Sequence, residues 1–511
     1  METATQFQTK HASSVVSTLS CHDRVILKGY LPFTNDVAIN SFVDYGLKIK
    51  RKDFIPFAER QAEFLVEHAK DCARQAQVEY QYLPGKHNKE QLAKQALLAT
   101  KGREGLILVL CVQETCPTFK LLYGDQRPRL AWTRRPQRVL YYYYNDPDFG
   151  LMHVRIQTWF PLTIQVYING HDWLARQLHV RKVGFVQQDN AFTECDDWVA
   201  AQSLADGFDQ LDWVQLLDGW ALRVNPSLSH EWLDGRKYYW VADQVEYSTD
   251  VLFTSPAALR ELYPRLLDHA ALHFSAEDVL SFLGRRLHPR FDGEVLTDCK
   301  KNREPGARVK HRVKENWLKM YDKFGVILRV ETVINNPREF KVRRCCERQG
   351  ESQMAWCPMN KGISNLYHYR EVSRSSNCRY LEALAAVDNP TAAYRQVEKL
   401  VEPQQVANRR HAGFNPARAA DVKLFQTIMH GDHVSRGFRN TDIRQRLHGE
   451  PSDRAEHRRQ ASSLSRIFKR LHVRGLIAKI PHTYRWRVTI EGQRLLSTII
   501  TLYHQGLSQA A

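Results

Sequence analysis

The chain has 511 residues, 43% hydrophobic and 11% aromatic, with 73 Lys and Arg against 56 Asp and Glu for a net charge of +17. That length exceeds one ordinary core and predicts several domains, while the apolar content excludes a disordered polymer. No segment approaches about eighteen uninterrupted apolar residues, and the polar start METATQFQTKHASS lacks the apolar core of a secretory signal, so the sequence predicts a cytoplasmic protein without a membrane partner.

In chain order, DRVILKGYL (23–31) predicts a strand and FIPFAERQAEFLVEHAKDCARQA (54–76) an amphipathic helix. VEYQYL, KEQLAKQALLAT and GLILVLCV (105–112) then alternate strand, helix and strand, and the last is apolar enough to be buried on both faces. RVLYYYYNDPDFGLMHVRIQTWF predicts two strands turning at NDPDFG (145–150). These elements set a first α/β domain at 1–160, followed by a mainly helical region at 161–295. Within the latter, Ser255 and Pro256 open one helix, and a capping box joins Ser275 to Asp278 at the next. Residues 296–402 predict a basic β-hairpin region plus a helix interrupted at Pro390, and the polar stretch 403–420 predicts a linker. The expected class is therefore mixed α/β and multidomain, with a separate last domain at 421–511.

The charge is concentrated. Residues 300–346 hold 14 Lys and Arg against 5 Asp and Glu, and residues 409–487 hold 18 against 6, which leaves the rest of the chain slightly acidic. Two basic zones on such a body are a footprint for a polyanion. In the first, Lys310, Arg312, Lys319, Tyr321, Lys323 and Arg329 predict a nucleic-acid-gripping hairpin that turns at Lys323-Phe324-Gly325, with Arg329 and Glu331 on one face of its second strand. Farther upstream, MHVRIQTWFPLTIQVYINGHDWLARQ interleaves aromatics with Arg and amides, a composition suited to base stacking, and adds Arg155, Trp159 and Arg176 as candidates.

In the last domain, DVKLFQTIMHG, FRNTDIRQRLHG and DRAEHRRQASSLSRIFKRLHVRGL predict three helices, IAKIPHTYRWRVT a hairpin and EGQRLLSTIITLYHQGL a closing helix. The run G-L-I-x-K-x-P-x-T-x-R-W-x-V-T-x-x-G, from Gly475 to Gly492, resembles the wing of MarR-like transcriptional regulators. That resemblance implies a winged helix-turn-helix with its third helix in the major groove of DNA and its wing in the adjacent minor groove. It makes Arg458, Arg459, Ser462, Ser463, Arg466, Lys469 and Arg470 the helix candidates, and Arg485 and Arg487 the wing candidates. The hairpin at 309–335 is similar, over a short K-x-Y-D-K … R-x-E pattern, to one in some phage and plasmid replication initiators. Through DRVILKGYL, MHVRIQTW, INGHDWLARQ and LRVETVINNPREFKV the whole chain resembles a widespread bacterial family of mobile-element character, a resemblance that carries no activity with it.

Chemistry is less legible. Ten cysteines with no C-x-x-C pair predict free thiols, and no metal site is expected from spacing. There is no P-loop, no G-x-G-x-x-G and no G-x-S-x-G. Asp23, Asp189, Glu246, Asp250 and Glu331 are the carboxylates at strand-like or element-end positions, and none has a diagnostic spacing. The first expectation is a DNA-binding, transposase-like, nucleoid-associated protein whose strand-cleaving centre would use Mg2+. Its rivals are a non-enzymatic transcription regulator and an RNA-binding partner of a structured RNA. A catalytic centre demands at least three carboxylates converging in the fold, whereas an RNA partner demands no such cluster.

Overall fold

A computed structural model describes residues 5–504 apart from 86, 124–126, 273, 286–290, 292, 301–306, 349–350, 388–399, 407–408, 431–432, 434–436 and 482. The protein is mixed α/β and divides into two compact units that share the sequence. The first unit takes Ser17–Val251 and Glu331–Arg374, and the second takes Met1–Val16, Leu252–Val330 and Ser375–Ala511. No helix among the described residues is long and apolar enough to cross a membrane.

The first unit is built on β1 (Val15–Tyr30), β2 (Tyr80–Leu83), β3 (Gly105–Leu122), β4 (Arg129–Asp146), β5 (Gly150–Gln157), β6 (Ile164–Asn169) and β9 (Tyr239–Phe253), in the order β9-β1-β6-β5-β4-β3-β2. β7 (Phe185–Gln188) and β8 (Ala191–Cys195) form a separate hairpin. β2 and β3 run parallel, while β3 to β4, β4 to β5, β5 to β6 and β6 to β1 are antiparallel. The stretches 1–160 and 161–295 are thus not separate bodies, because β6 sits between β1 and β5. β9 is a further correction to the expected helical region. Its sequence YWVADQVEYSTDVLF is buried almost throughout, yet its acids and hydroxyls dilute the apolar run by which a buried strand is recognised.

Helix Phe54–Ala76 forms where its periodicity places it. Phe54, Ala58, Ala62, Leu65, Ala69 and Ala73 bury one face, and Gln77 ends it at φ 54°. Helix Gly170–Val180 starts at Asn169, whose side chain accepts from the His171 backbone. Gly170 is required there, because a Cβ would lie 2.2 Å from the His22 carbonyl oxygen. The glycine lets the helix start abut β1 beside Asp23.

In the second unit β10 (Val295–Lys300), β11 (Arg308–Val313), β12 (Asn316–Lys323) and β13 (Ile327–Ile334) lie in sequence order, and β13 passes into the first unit at Glu331. Helix Pro256–Leu272 begins as expected, and the Ser275–Asp278 capping box opens helix Ala276–Phe282. The last region follows the expected order. Helices Ala419–Ile428, Asn440–His448 and Arg454–Val473 precede a hairpin of β18 (Ile477–Lys479) and β19 (Trp486–Val488), then helix Ile490–His504. Phe425, Ile443, Leu464, Phe468, Leu471 and Leu496 share one core. The expected linker instead carries a short hairpin, β16 (Gln404–Val406) with β17 (Arg409–His411). Pro390 and the helix stop expected at Gly431 lie outside the described residues.

In the first unit β14 (Lys341–Arg348) and β15 (Glu351–Pro358) form a second separate hairpin. A disulfide joins Cys346 to Cys357 across it, where free thiols are expected. Both cysteines lie on the same side of the ladder, a proximity that their separation in sequence hides.

Arg155, expected to touch nucleic acid, holds the sheet instead. Its Nε and Nη2 donate to Glu114 Oε2 at 3.1 and 2.9 Å, and Glu114 Oε1 accepts from Lys89 Nζ and Tyr141 Oη, both at 2.7 Å. Burial raises the Glu114 carboxyl, but the Arg155 charge and these hydrogen bonds outweigh it and draw it down to about 2. The folded value lies below the ordinary 4.5, so the stabilisation is present above about pH 4.5 and is lost as pH falls toward 2. Glu114→Gln is expected to cost about 2 kcal/mol near neutral pH. In urea unfolding across pH, the gap between wild type and variant should close on acidification; a gap independent of pH would refute the assignment.

Candidate functional site

Three of the five candidate carboxylates converge. Asp23 on β1, Glu246 on β9 and Glu331 on β13 are all buried, and one oxygen from each lies within 4.8 Å of the other two. The three strands are neighbours in the order β13-β9-β1. A ligand set capable of holding a metal ion therefore exists where sequence spacing predicts none, because its members stand on strands far apart in the chain.

The surroundings orient the acids. Asn190, between β7 and β8, donates Nδ2 to Asp23 Oδ1 at 2.6 Å, and Gln244 Nε2 donates to Glu246 Oε1 at 3.1 Å. His171, in the helix start that Gly170 brings against β1, has Nδ1 3.4 Å from Asp23 Oδ1 and Nε2 3.4 Å from Ser248 Oγ. Arg24 is exposed, with its guanidinium 5.9 Å from the Tyr167 ring centre. Desolvation lowers the Arg24 guanidinium, but Glu246, then Tyr167, Asp23 and Glu331, reverse this and raise it. Arg24 and Asn190 escaped sequence reasoning; the signal for Arg24 was its place directly after Asp23 in DRVILKGYL.

The other two acids lie outside the cluster. Asp189 is an exposed turn residue at φ 50°, with Lys94 Nζ 3.9 Å away. Asp250 is buried farther along β9 than Glu246.

A second candidate surface lies on β11 and β12 in the second unit. Alternation buries Val309, His311, Val313, Leu318 and Met320 on one side. The other side carries Arg308 opposite Tyr321, Lys310 opposite Lys319 and Arg312 opposite Trp317. Lys310 Nζ lies 3.9 Å from the Trp317 ring centre. Burial, then Lys319, Arg308 and Arg312, lower the Lys310 ammonium, so this face favours an added anion. Two expected members do not belong to it. Lys323 and Arg329 are buried, and β13 is buried at every position. Alternation assigned Arg329 a side of its strand but could not reveal that the side is covered.

On helix Arg454–Val473, Leu464, Phe468 and Leu471 face inward while Arg458, Arg459, Ser462, Ser463, Arg466 and Lys469 are exposed. The other expected contacts there are engaged within the protein. Arg470 donates Nε to the Ala412 carbonyl at 3.0 Å and Nη2 to that of Gly413, and stacks 4.0 Å over Phe414. Arg485 donates to the Gly437 carbonyl at 3.0 Å, and Arg487 is ion-paired with Glu277. Upstream, Arg176 donates to Asn145 Oδ1 at 2.9 Å, and Trp159 is half-buried. No family model, curated protein or solved structure matches the chain.

Gly170→Ala should destabilise the fold by about 2 kcal/mol or more through the clash with the His22 carbonyl, read as a lowered urea midpoint. An unchanged midpoint would show that the helix start does not need the glycine. Lys319→Gln should move the Lys310 ammonium back up toward its ordinary range, followed by NMR of the lysine side chains. An unmoved Lys310 titration would remove the like-charge account.

Proposed function

We propose that the protein binds nucleic acid and cleaves phosphodiester strands with a divalent cation, as a transposase-like, mobile-element protein would. The observation that carries this reading is the meeting of Asp23, Glu246 and Glu331 on neighbouring strands. Carboxylate oxygens are the ligands of hard cations, so Mg2+ or Mn2+ fits this set. The cation would be held by Asp23, Glu246 and Glu331 and would supply charge stabilisation and an activated water for phosphoryl transfer. Exposed Arg24 beside the triad suits a phosphate oxygen of the substrate, and His171 and Asn190 hold Asp23 in place.

Nucleic acid is the substrate class because cations line two further surfaces. The Arg308, Lys310, Arg312 and Lys319 face suits a sugar–phosphate backbone. In the same reading the C-terminal region is a winged helix that binds DNA through Arg458, Arg459, Ser462, Ser463 and Arg466. The carboxylate cluster favours a cleaving enzyme over a non-catalytic RNA partner, which has no need of one.

The test is a cleavage assay on labelled single-stranded DNA, duplex DNA and RNA with Mg2+ or Mn2+. Activity should vanish in EDTA and fall at least about a hundredfold in each of Asp23→Asn, Glu246→Gln and Glu331→Gln. Mn2+ should also raise the thermal midpoint of the wild type by mass action and leave the triple variant unmoved. Cleavage that survives in the triple variant, or a Mn2+ shift shared by it, would overturn the assignment.

A further inference from the structure

The β14–β15 hairpin has two unlike faces. In its register Lys341 pairs with Pro358, Arg343 with Trp356 and Cys345 with Met354, so alternation sets these six on one side. All six are exposed, Trp356 at 68% and Met354 at 57%. The opposite side holds buried Val342 with half-buried Arg344, Cys346, Ala355 and Cys357. On that side the disulfide ties the strands together, and Arg344 Nε donates to the Pro358 carbonyl at 3.2 Å. The open face therefore has a backed scaffold beneath it.

Among the described residues, Trp356 and Trp132, the latter at 43%, are the tryptophans that rank with the exposed large hydrophobic residues. An indole facing water with a guanidinium directly across the ladder is the pairing that takes a nucleobase: the ring stacks on the base and the cations meet the flanking phosphates. Lys341, Arg343, Arg344 and Arg348 against Glu347 and Glu351 leave the hairpin cationic, which favours a polyanion over an acid-poor protein surface. Bases of a duplex are already stacked on one another, so the complementary ligand is a single strand.

We propose that this face is a stacking platform for single-stranded nucleic acid, with Trp356 taking a base and Lys341 and Arg343 the adjoining phosphates. The proposal rests on the nucleic-acid reading above and deepens it, naming an unpaired strand as a substrate form.

The experiment measures binding of the full-length protein to fluorescein-labelled oligothymidine and to a labelled duplex in EDTA, across a salt series. Trp356→Ala should weaken oligothymidine binding about tenfold, Trp356→Phe should keep most of it, and duplex binding should not change. Lys341→Ala with Arg343→Ala should lower the steepness of the oligothymidine salt dependence by about 1.4, at roughly 0.7 per phosphate contact. Wild-type binding of oligothymidine with all three variants unchanged overturns the platform and leaves the broader reading intact. Equal loss of duplex and single-strand binding in Trp356→Ala, or an equal loss in Trp356→Phe, also overturns it. Failure of the wild type to bind either probe removes the nucleic-acid reading and the platform together.

Discussion

Three carboxylates that each bring an oxygen within 4.8 Å of the other two crowd like charge whenever they are ionised together. At an effective dielectric near 20, two unit charges about 4 Å apart repel by roughly 4 kcal/mol, so a flexible loop would let such a group spread. Neighbouring strands hold it. Asp23, Glu246 and Glu331 each stand on a strand whose backbone is committed to the sheet, which removes the easy routes of relaxation. The same field acts in the other direction on Arg24, whose guanidinium is raised by all three acids. A site built this way attracts cations, and the packing of Gly170 against His22 and of Asn190 against Asp23 keeps its inner wall fixed.

The positive charge of the chain divides into two populations that composition counts alike. Arg155, Arg470, Arg485 and Arg487 are bound by carboxylates, backbone carbonyls or an aromatic face within their own units. They work as cross-links, for which the planar guanidinium with its several donors is suited. Arg458, Arg459, Arg466 and Lys469 sit on the outer side of a helix, and Lys310 and Lys319 oppose each other on a ladder. The second population is not tied up in these cross-links. A basic zone in a sequence therefore overstates the charge open to a ligand, and the surplus is largest where long side chains reach back to carbonyls.

Much of the fold was legible where periodicity was undisturbed. The helix Phe54–Ala76, the starts at Pro256 and Ser275, and the order of C-terminal elements follow from local patterns of apolar spacing and capping. The division into domains was not legible in the same way, because β6 and β9 return to a sheet begun by β1 and the chain changes unit at Val251–Leu252 and Val330–Glu331. Pairings of that kind depend on residues hundreds of positions apart, about which a local window is silent. The five acids were picked out as a set, but which three meet was decided by strand order alone.

The hardest element to read also carries one member of the carboxylate cluster. β9 carries Glu246, Ser248, Thr249 and Asp250 in a strand that is otherwise buried, and those four polar side chains remove the apolar run that would have announced it. A structural strand in that position would be filled with valine and isoleucine, and this one gives up part of that packing to hold polar groups in the interior. Local preference and tertiary role disagree at this strand, as they do at functional sites, where polar residues are kept inside against their hydration. The same logic applies in reverse to β13. Alternation sets its Arg329 and Glu331 on one face of a hairpin expected to grip nucleic acid, and both are buried. The two strands that misled the sequence reading are the ones that, with β1, bring the acids together.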